Sequence, residues 1–235
     1  MNRNEFKNPY SVEGTKSIFK TLQFNSTLTV LKIAENKIGL DEAKSLFHCI
    51  QSNTTLTTLF IGDFNYADFK DFNKTVKFIL QSIQFNTTLR SLNLEGSKIC
   101  DTEIEIISKS MQFNSTLTTL NLNDNKIGPS GVRSISKLLE LNSTLLTLHL
   151  DFNKIGDQGA SIIAQALLSN STLTALYLNE SQINEVGVTS ISQVLLSNTS
   201  LTTLYLNGNG IGLVGATLLW EALKKNSTVT KLQID

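Results

Sequence analysis

Residues 114–128 read NSTLTTLNLNDNKIG, and near copies of this stretch return along the chain. The asparagines that open the copies are Asn25, Asn53, Asn86, Asn114, Asn142, Asn170, Asn198 and Asn226, spaced by 28 residues except for one gap of 33. A fixed period of this size marks a solenoid, built from supersecondary units that cannot cover their own apolar faces alone. In the unit at Asn114, Leu117, Leu120 and Leu122 predict a short strand with Leu120 and Leu122 on one side. Asn125 and Ile127 follow at a bend, and Gly131 comes next. Val132, Ile135, Leu138 and Leu139 then recur at spacings of three and four, which is one face of a helix. Each unit is therefore strand, turn, helix and return. Stacked units place their strands in one parallel sheet and their helices on the other side. A helix is wider than the ~4.8 Å between strands, so the stack curves with the sheet on its concave side.

The chain has 235 residues, enough for a sizeable core. Its 20 basic and 20 acidic residues cancel, which gives no support to a nucleic-acid or anionic-membrane partner. Cys49 and Cys100 fall at unrelated positions of the repeat, so no planned disulfide is expected and a reducing compartment suits the chain. The N-terminal MNRNEFKNPYSVEGTKSIFK has no apolar run of signal-peptide length, and no window reaches the ~20 apolar residues of a membrane-spanning helix. The expectation is a soluble cytoplasmic protein. Every one of the eight opening triplets is also a sequon for N-glycosylation. All eight sit where helix returns to strand. Asparagine tolerates the left-handed conformation common there, and Ser and Thr suit the following turn, so the sequon is expected to be a by-product of the repeat.

The pattern L-x-x-L-x-L-x-x-N-x-I-x-x-x-G, followed by a helix, resembles the leucine-rich repeats of the ribonuclease-inhibitor type. Leu145, Leu148, Leu150, Asn153, Ile155 and Gly159 match it, as do Leu201, Leu204, Leu206, Asn209, Ile211 and Gly215. The resemblance covers about residues 12 to 235. It implies an α/β horseshoe in which Asn36, Asn125, Asn153 and Asn209 bond to backbone in a ladder. Ser97, Ser181 and Phe64 depart from the ladder position, and Glu42, Thr75 and Glu103 stand where the later units have glycine. The family includes enzyme inhibitors, immune-receptor sensor domains, GTPase regulators and bacterial effectors, so the resemblance specifies fold far better than function.

Side chains that differ from unit to unit at an exposed position carry partner specificity. Seven residues after each asparagine come Lys32, Phe60, Asn93, Asn121, His149, Tyr177, Tyr205 and Gln233, which point out of the concave sheet. His149, Tyr177 and Tyr205 form a contiguous strip, suited either to anchoring a partner or to stacking across strands. Acids follow nine or ten residues after the asparagine, at Glu35, Asp63, Glu95, Asp124, Asp151 and Glu180, with Phe152 among them. Lys37, Lys98, Lys126 and Lys154 form a basic column beyond. The two lanes pair with each other or, if the face has a charge preference, the acids beside the aromatic strip select a basic partner. The long second unit places its excess in GDFNYADFKDFNKT, residues 62–75, with Phe64, Tyr66 and Phe69 as candidate contacts on one rim.

No catalytic, metal or cofactor constellation stands out. His48 and His149 lie on different parts of their units, there is no Cys-x-x-Cys, and the GNGIG at 208–212 is the repeat's own turn. Residues 1–24 are expected to cap the stack with a helix that lacks its strand, and residues 25–235 to form the repeat domain, with a partial unit at 226. The KLQID end leaves an open C-terminal edge that could take a second copy, with Trp220 nearby as a shield or a contact. The expected function is a non-catalytic scaffold that binds a protein, whether a basic one or a peptide, with no cofactor, nucleic acid or membrane. The specific forms are a bacterial effector acting in a host cytoplasm, or an inhibitor or regulator of an enzyme or small GTPase. A concave area on the order of 450 Å² falls short of the roughly 800 Å² per partner of a standard interface, so a globular partner must also touch the rim.

Overall fold

The computed structural model describes residues 4–5, 12–33, 38–62 and 72–235. Strands and helices alternate throughout. The strands are β1 (Asn4–Glu5), β2 (Val30–Lys32), β3 (Thr58–Phe60), β4 (Ser91–Asn93), β5 (Thr119–Asn121), β6 (Thr147–His149), β7 (Ala175–Tyr177), β8 (Thr203–Tyr205) and β9 (Lys231–Gln233). The helices are α1 (Val12–Leu22), α2 (Leu40–Ser52), α3 (Phe72–Ile83), α4 (Asp101–Met111), α5 (Pro129–Leu141), α6 (Gly156–Leu167), α7 (Glu185–Leu195) and α8 (Gly212–Leu223). The strands form one parallel sheet in strict sequence order. From β2 to β9 the pairing is in register with the repeat, Leu120 opposite Leu148 and Asn121 opposite His149. A solenoid of one repeating βα unit requires this order. The N-terminal cap differs from expectation, because β1 pairs with β2 and supplies the strand that α1 was thought to lack.

The core is a stack of similar layers. Leu120, Leu122, Ile127, Val132, Ile135, Leu138 and Leu139 are all sealed from solvent, as the strand and helix periodicities require, and the same columns repeat in each unit. Helices pack on their sequence neighbours, so each unit buries its two open sides against the units before and after it. Among the described residues no helix is long and apolar enough to cross a membrane. Both cysteines are free, and burial pushes the Cys49 thiol up to about 11.

Three ladders of polar side chains tie the layers together. At the position seen in Asn125, Asn153 and Asn209, the amide donates to carbonyls of its own turn and of the preceding unit, as in Asn153 Nδ2 to Leu122 O at 2.9 Å and Leu150 O at 3.0 Å. Its oxygen accepts the Ile127 N–H at 3.1 Å. Ser181 keeps part of this role, donating to Leu150 O at 3.2 Å, whereas Ser97 reaches only Glu95 O in its own turn. Asn36 and Phe64 lie outside the described residues.

The second ladder explains the sequons, and it corrects the expected reason for them. Asn53 has φ −76° and ψ 128°, and Asn142 has φ −91° and ψ 128°, so these residues are extended rather than left-handed. Asparagine is needed for its amide. Asn142 Oδ1 accepts the N–H groups of Thr144 at 3.0 Å and Leu145 at 2.8 Å. Its Nδ2 donates to Met111 O at 3.0 Å and Asn114 O at 3.1 Å. Both ends of the side chain satisfy backbone groups at the break between helix and strand, where secondary structure leaves them unpaired. The atom a glycan would occupy is therefore a buried donor, and this column, buried from Asn53 to Asn198, has no room for sugar in the folded chain. The third ladder lies nine residues after the opening asparagine in four consecutive units. Asn123 Oδ1 accepts the Asp151 N–H, Asp151 Oδ1 the Asn179 N–H, and Asn179 Oδ1 the Asn207 N–H, at 2.8, 2.7 and 2.8 Å.

Candidate protein-interaction surface

Each strand from β2 to β8 is only three residues long, with its middle residue buried and its two outer residues half-exposed on the sheet's open face. Strand register makes the outer residues continuous columns. Lys32, Phe60, Asn93, Asn121, His149, Tyr177, Tyr205 and Gln233 stand side by side. A second column two residues earlier, Thr119, Thr147, Ala175 and Thr203 at its centre, was missed by counting only one position per strand. It makes a smooth floor beside the first column.

The large side chains of the first column touch one another. His149 and Tyr177 stack with centroids 4.1 Å apart at 16°, and Tyr177 meets Tyr205 edge to face at 4.8 Å and 74°. Lys32 Nζ lies 4.6 Å from the centre of the Phe60 ring. Asn93 and Asn121 each accept the N–H two residues on, and Asn121 also donates to Glu95 Oε2 at 3.1 Å. So the strip is contiguous as the spacing required, and cross-strand stacking is part of its chemistry. Burial pulls the His149 imidazole below its usual range, opposed by the charges of Asp151 and Glu95. Burial also raises the Tyr177 phenol, helped by Tyr205 and Asp151.

The acid lane divides. Asp151 is not an exposed contact: it is 8% accessible and serves as a rung of the third ladder. Burial pushes its carboxyl above the usual range, while hydrogen bonds from Asn179 and Asn123 and the nearby His149 pull the other way. Asp124 and Glu180 are exposed, as is Phe152 at 58%. These three occupy equivalent positions in consecutive units and line a groove of about 890 Å³ along the rim where strands end, with Phe60, Asn93, Glu95, Lys126 and Lys154. Among the described residues, no ion pair joins Asp124 or Glu180 to Lys126 or Lys154. The expected pairing of those acids and lysines does not occur. Phe64, Tyr66 and Phe69, with Asp63, Glu35 and Lys37, lie outside the described residues.

Two apolar features, apart from Trp220, escaped the sequence reading. Phe24, Phe85, Phe113 and Leu141 are all at least 60% exposed, and each immediately precedes an opening asparagine. They were legible as a column, one residue before the sequon. At the C-terminal edge Leu213, Val214 and Trp220 are exposed on α8. Trp220, 62% accessible, is thus an exposed surface residue rather than a packed shield. Among the described residues no cluster of three potential metal ligands forms.

A repeating β-strand and helix with an asparagine ladder and an open parallel sheet defines one class of protein. The fold is that of the leucine-rich repeats, and the Leucine Rich repeat family model matches residues 24–46, 113–136, 141–164 and 197–219. The fold is similar to that of internalin C2 from Listeria monocytogenes, with a TM-score of 0.55 and 16% identity over 99% of this chain and 100% of that one. It is also similar to actin-binding site 2 of leiomodin-1, with a TM-score of 0.51 and 24% identity over 67% of this chain and 90% of that one. No curated protein sequence matches the chain.

Proposed function

We infer that this leucine-rich repeat protein is a non-catalytic scaffold whose sheet face and strand-end rim bind another protein. The observation that carries the reading is the unbroken aromatic strip of His149, Tyr177 and Tyr205 on the open face of the sheet. Rigid amphipathic rings lose little entropy on binding and recur as interface anchors. The layers beneath them are already filled by leucine, so the fold does not need these rings for its core. The solved domain of leiomodin-1 with this fold is named an actin-binding site, which supports a protein as the ligand class. We assign the repeats to the ribonuclease-inhibitor-like subtype on their 28-residue period, and the protein to a cytoplasm, either its own cell's or that of a host in which it acts as an effector. Regulation of an enzyme by occlusion is the second form of the same reading.

The test is capture from cell lysate by the wild type and by a triple variant, His149→Ala, Tyr177→Ala and Tyr205→Ala, shown to be folded by circular dichroism. A protein retained by the wild type and lost by the variant supports the strip as the binding site. Equal retention by both removes the strip from the interface.

A further inference from the structure

The rim groove is lined by side chains that differ from unit to unit. Ten residues after each opening asparagine, the backbone turns into the left-handed region in five consecutive units, at Gly96, Asp124, Phe152, Glu180 and Gly208, with φ between 50° and 66°. The conformation has a structural purpose, because each of these N–H groups in the central units reaches the next unit, as in Phe152 N to Asn179 O at 2.9 Å. Glycine does that at no steric cost, and it does so in the two flanking units. The three central units instead carry an acid, an aromatic ring and an acid at strained positions, all exposed toward the groove. Among the described residues no hydrogen bond or ion pair uses these side chains. Lys126 and Lys154, two residues further along their units, also line the groove, and among the described residues no carboxylate pairs with them.

We propose that this groove binds an extended peptide segment in which an arginine lies between two acidic residues, the arginine resting on Phe152 between Asp124 and Glu180 and the two acids meeting Lys126 and Lys154. The charge arrangement selects this occupant. Successive side chains of an extended chain point to opposite sides, so one basic residue facing the acidic wall places its neighbours against the lysine wall. A planar guanidinium stacks on an aromatic face while its edges donate to carboxylates, which an ammonium does less well. A uniformly basic segment would satisfy one wall and be repelled by the other. The site deepens the scaffold reading and rests on it, since it supplies the rim contact that the small sheet face needs.

The experiment titrates the isotope-labelled full chain with the peptide acetyl-Gly-Glu-Arg-Glu-Gly-amide and follows backbone amides by NMR. Saturable shifts centred on Asp124, Phe152 and Glu180 are expected, with affinity at least ten-fold lower for Phe152→Gly and for the Lys126→Gln, Lys154→Gln pair. The isomer acetyl-Gly-Arg-Glu-Glu-Gly-amide and the Ala-Arg-Ala analogue should bind several-fold more weakly. Equal binding of the isomer, unchanged affinity in the Phe152→Gly chain, or shifts confined to other surfaces would each overturn the proposal. Because lysines at 126 and 154 are exposed, their variant remains informative even if Phe152→Gly perturbs the turn. Loss of the peptide site alongside a strip that still captures a partner would leave the scaffold reading standing. A strip variant that still captures its partner would remove the strip from the interface whatever the peptide does.

Discussion

At the scale of single residues, the molecule separates side chains that hold the stack from those that face outward. Phe152 is of the second kind, a bulky residue at φ 57° where two flanking units have glycine. Phe152→Gly is therefore expected to leave thermal stability unchanged or to raise it by up to about 1 kcal/mol. A loss of more than about 1 kcal/mol in a denaturant titration would show that the ring supports the fold. Asp151 is of the first kind, although it was read from sequence as an exposed acid. Composition cannot reveal that its neighbours in the column, Asn123 and Asn179, do the same work as neutral amides. A raised carboxyl pKa means that the fold favours the protonated form. The stabilising contribution is complete below the ordinary carboxylate range and lost as pH rises through the raised value. Asp151→Asn should accordingly raise the melting temperature, and by more at pH 7 than at pH 4. An equal change at both values, or a greater one at pH 4, would contradict this. His149 has the opposite sign: burial depresses it, so its contribution is present above its ordinary value and lost as pH falls.

At the scale of elements, the repeat was legible because one period appears in three registers at once. Strand alternation, helix spacing and the recurrent asparagine agree in nearly every unit, and the buried columns follow them. What the pattern could not give was the reason for the asparagine. Both a left-handed C-cap and a bonded amide favour the same residue, and only the backbone angles distinguish them. The ladder has a measurable consequence. Asn142→Ala leaves two N–H groups at a helix–strand return without their partner and takes one of the donors from each of two carbonyls. With each unmade buried hydrogen bond costing about 1–3 kcal/mol and partial relief from water, the loss should be about 2–4 kcal/mol. Chemical denaturation of the variant measures it. A change below about 1 kcal/mol would mean that the sequon column is not structural.

At the scale of the whole molecule, the stack is not uniform along its length. The ladder is continuous from Asn123 to Asn207, whereas the early units place Glu42 and Glu103 where later ones have glycine. Both carboxylates are buried, and Glu42 Oε1 has no hydrogen-bond partner. Glu103 is better accommodated, accepting the Cys100 N–H at 3.0 Å in a capping box. Stability in a solenoid is roughly a sum over units and their interfaces, so native-state hydrogen exchange should find α2 opening before α5 and α6. Equal protection along the stack would contradict that gradient. Surface cooperation between units was not legible in the sequence. Counting one position per strand found the aromatic strip, but it missed the small residues beside it and the exposed phenylalanines before the sequons. Those surfaces exist only once the register of neighbouring strands is known.

The central claim is that binding occurs on the strand side of the stack. Hydroxyl-radical footprinting of the protein alone and with its captured partner tests it most directly, because oxidation reports the exposure of individual side chains. The account predicts protection of His149, Tyr177, Tyr205 and Phe152, with Phe113 on the opposite rim unchanged. Protection of Phe85 and Phe113 with the aromatic strip still reactive would place the interface on the other rim and contradict the account.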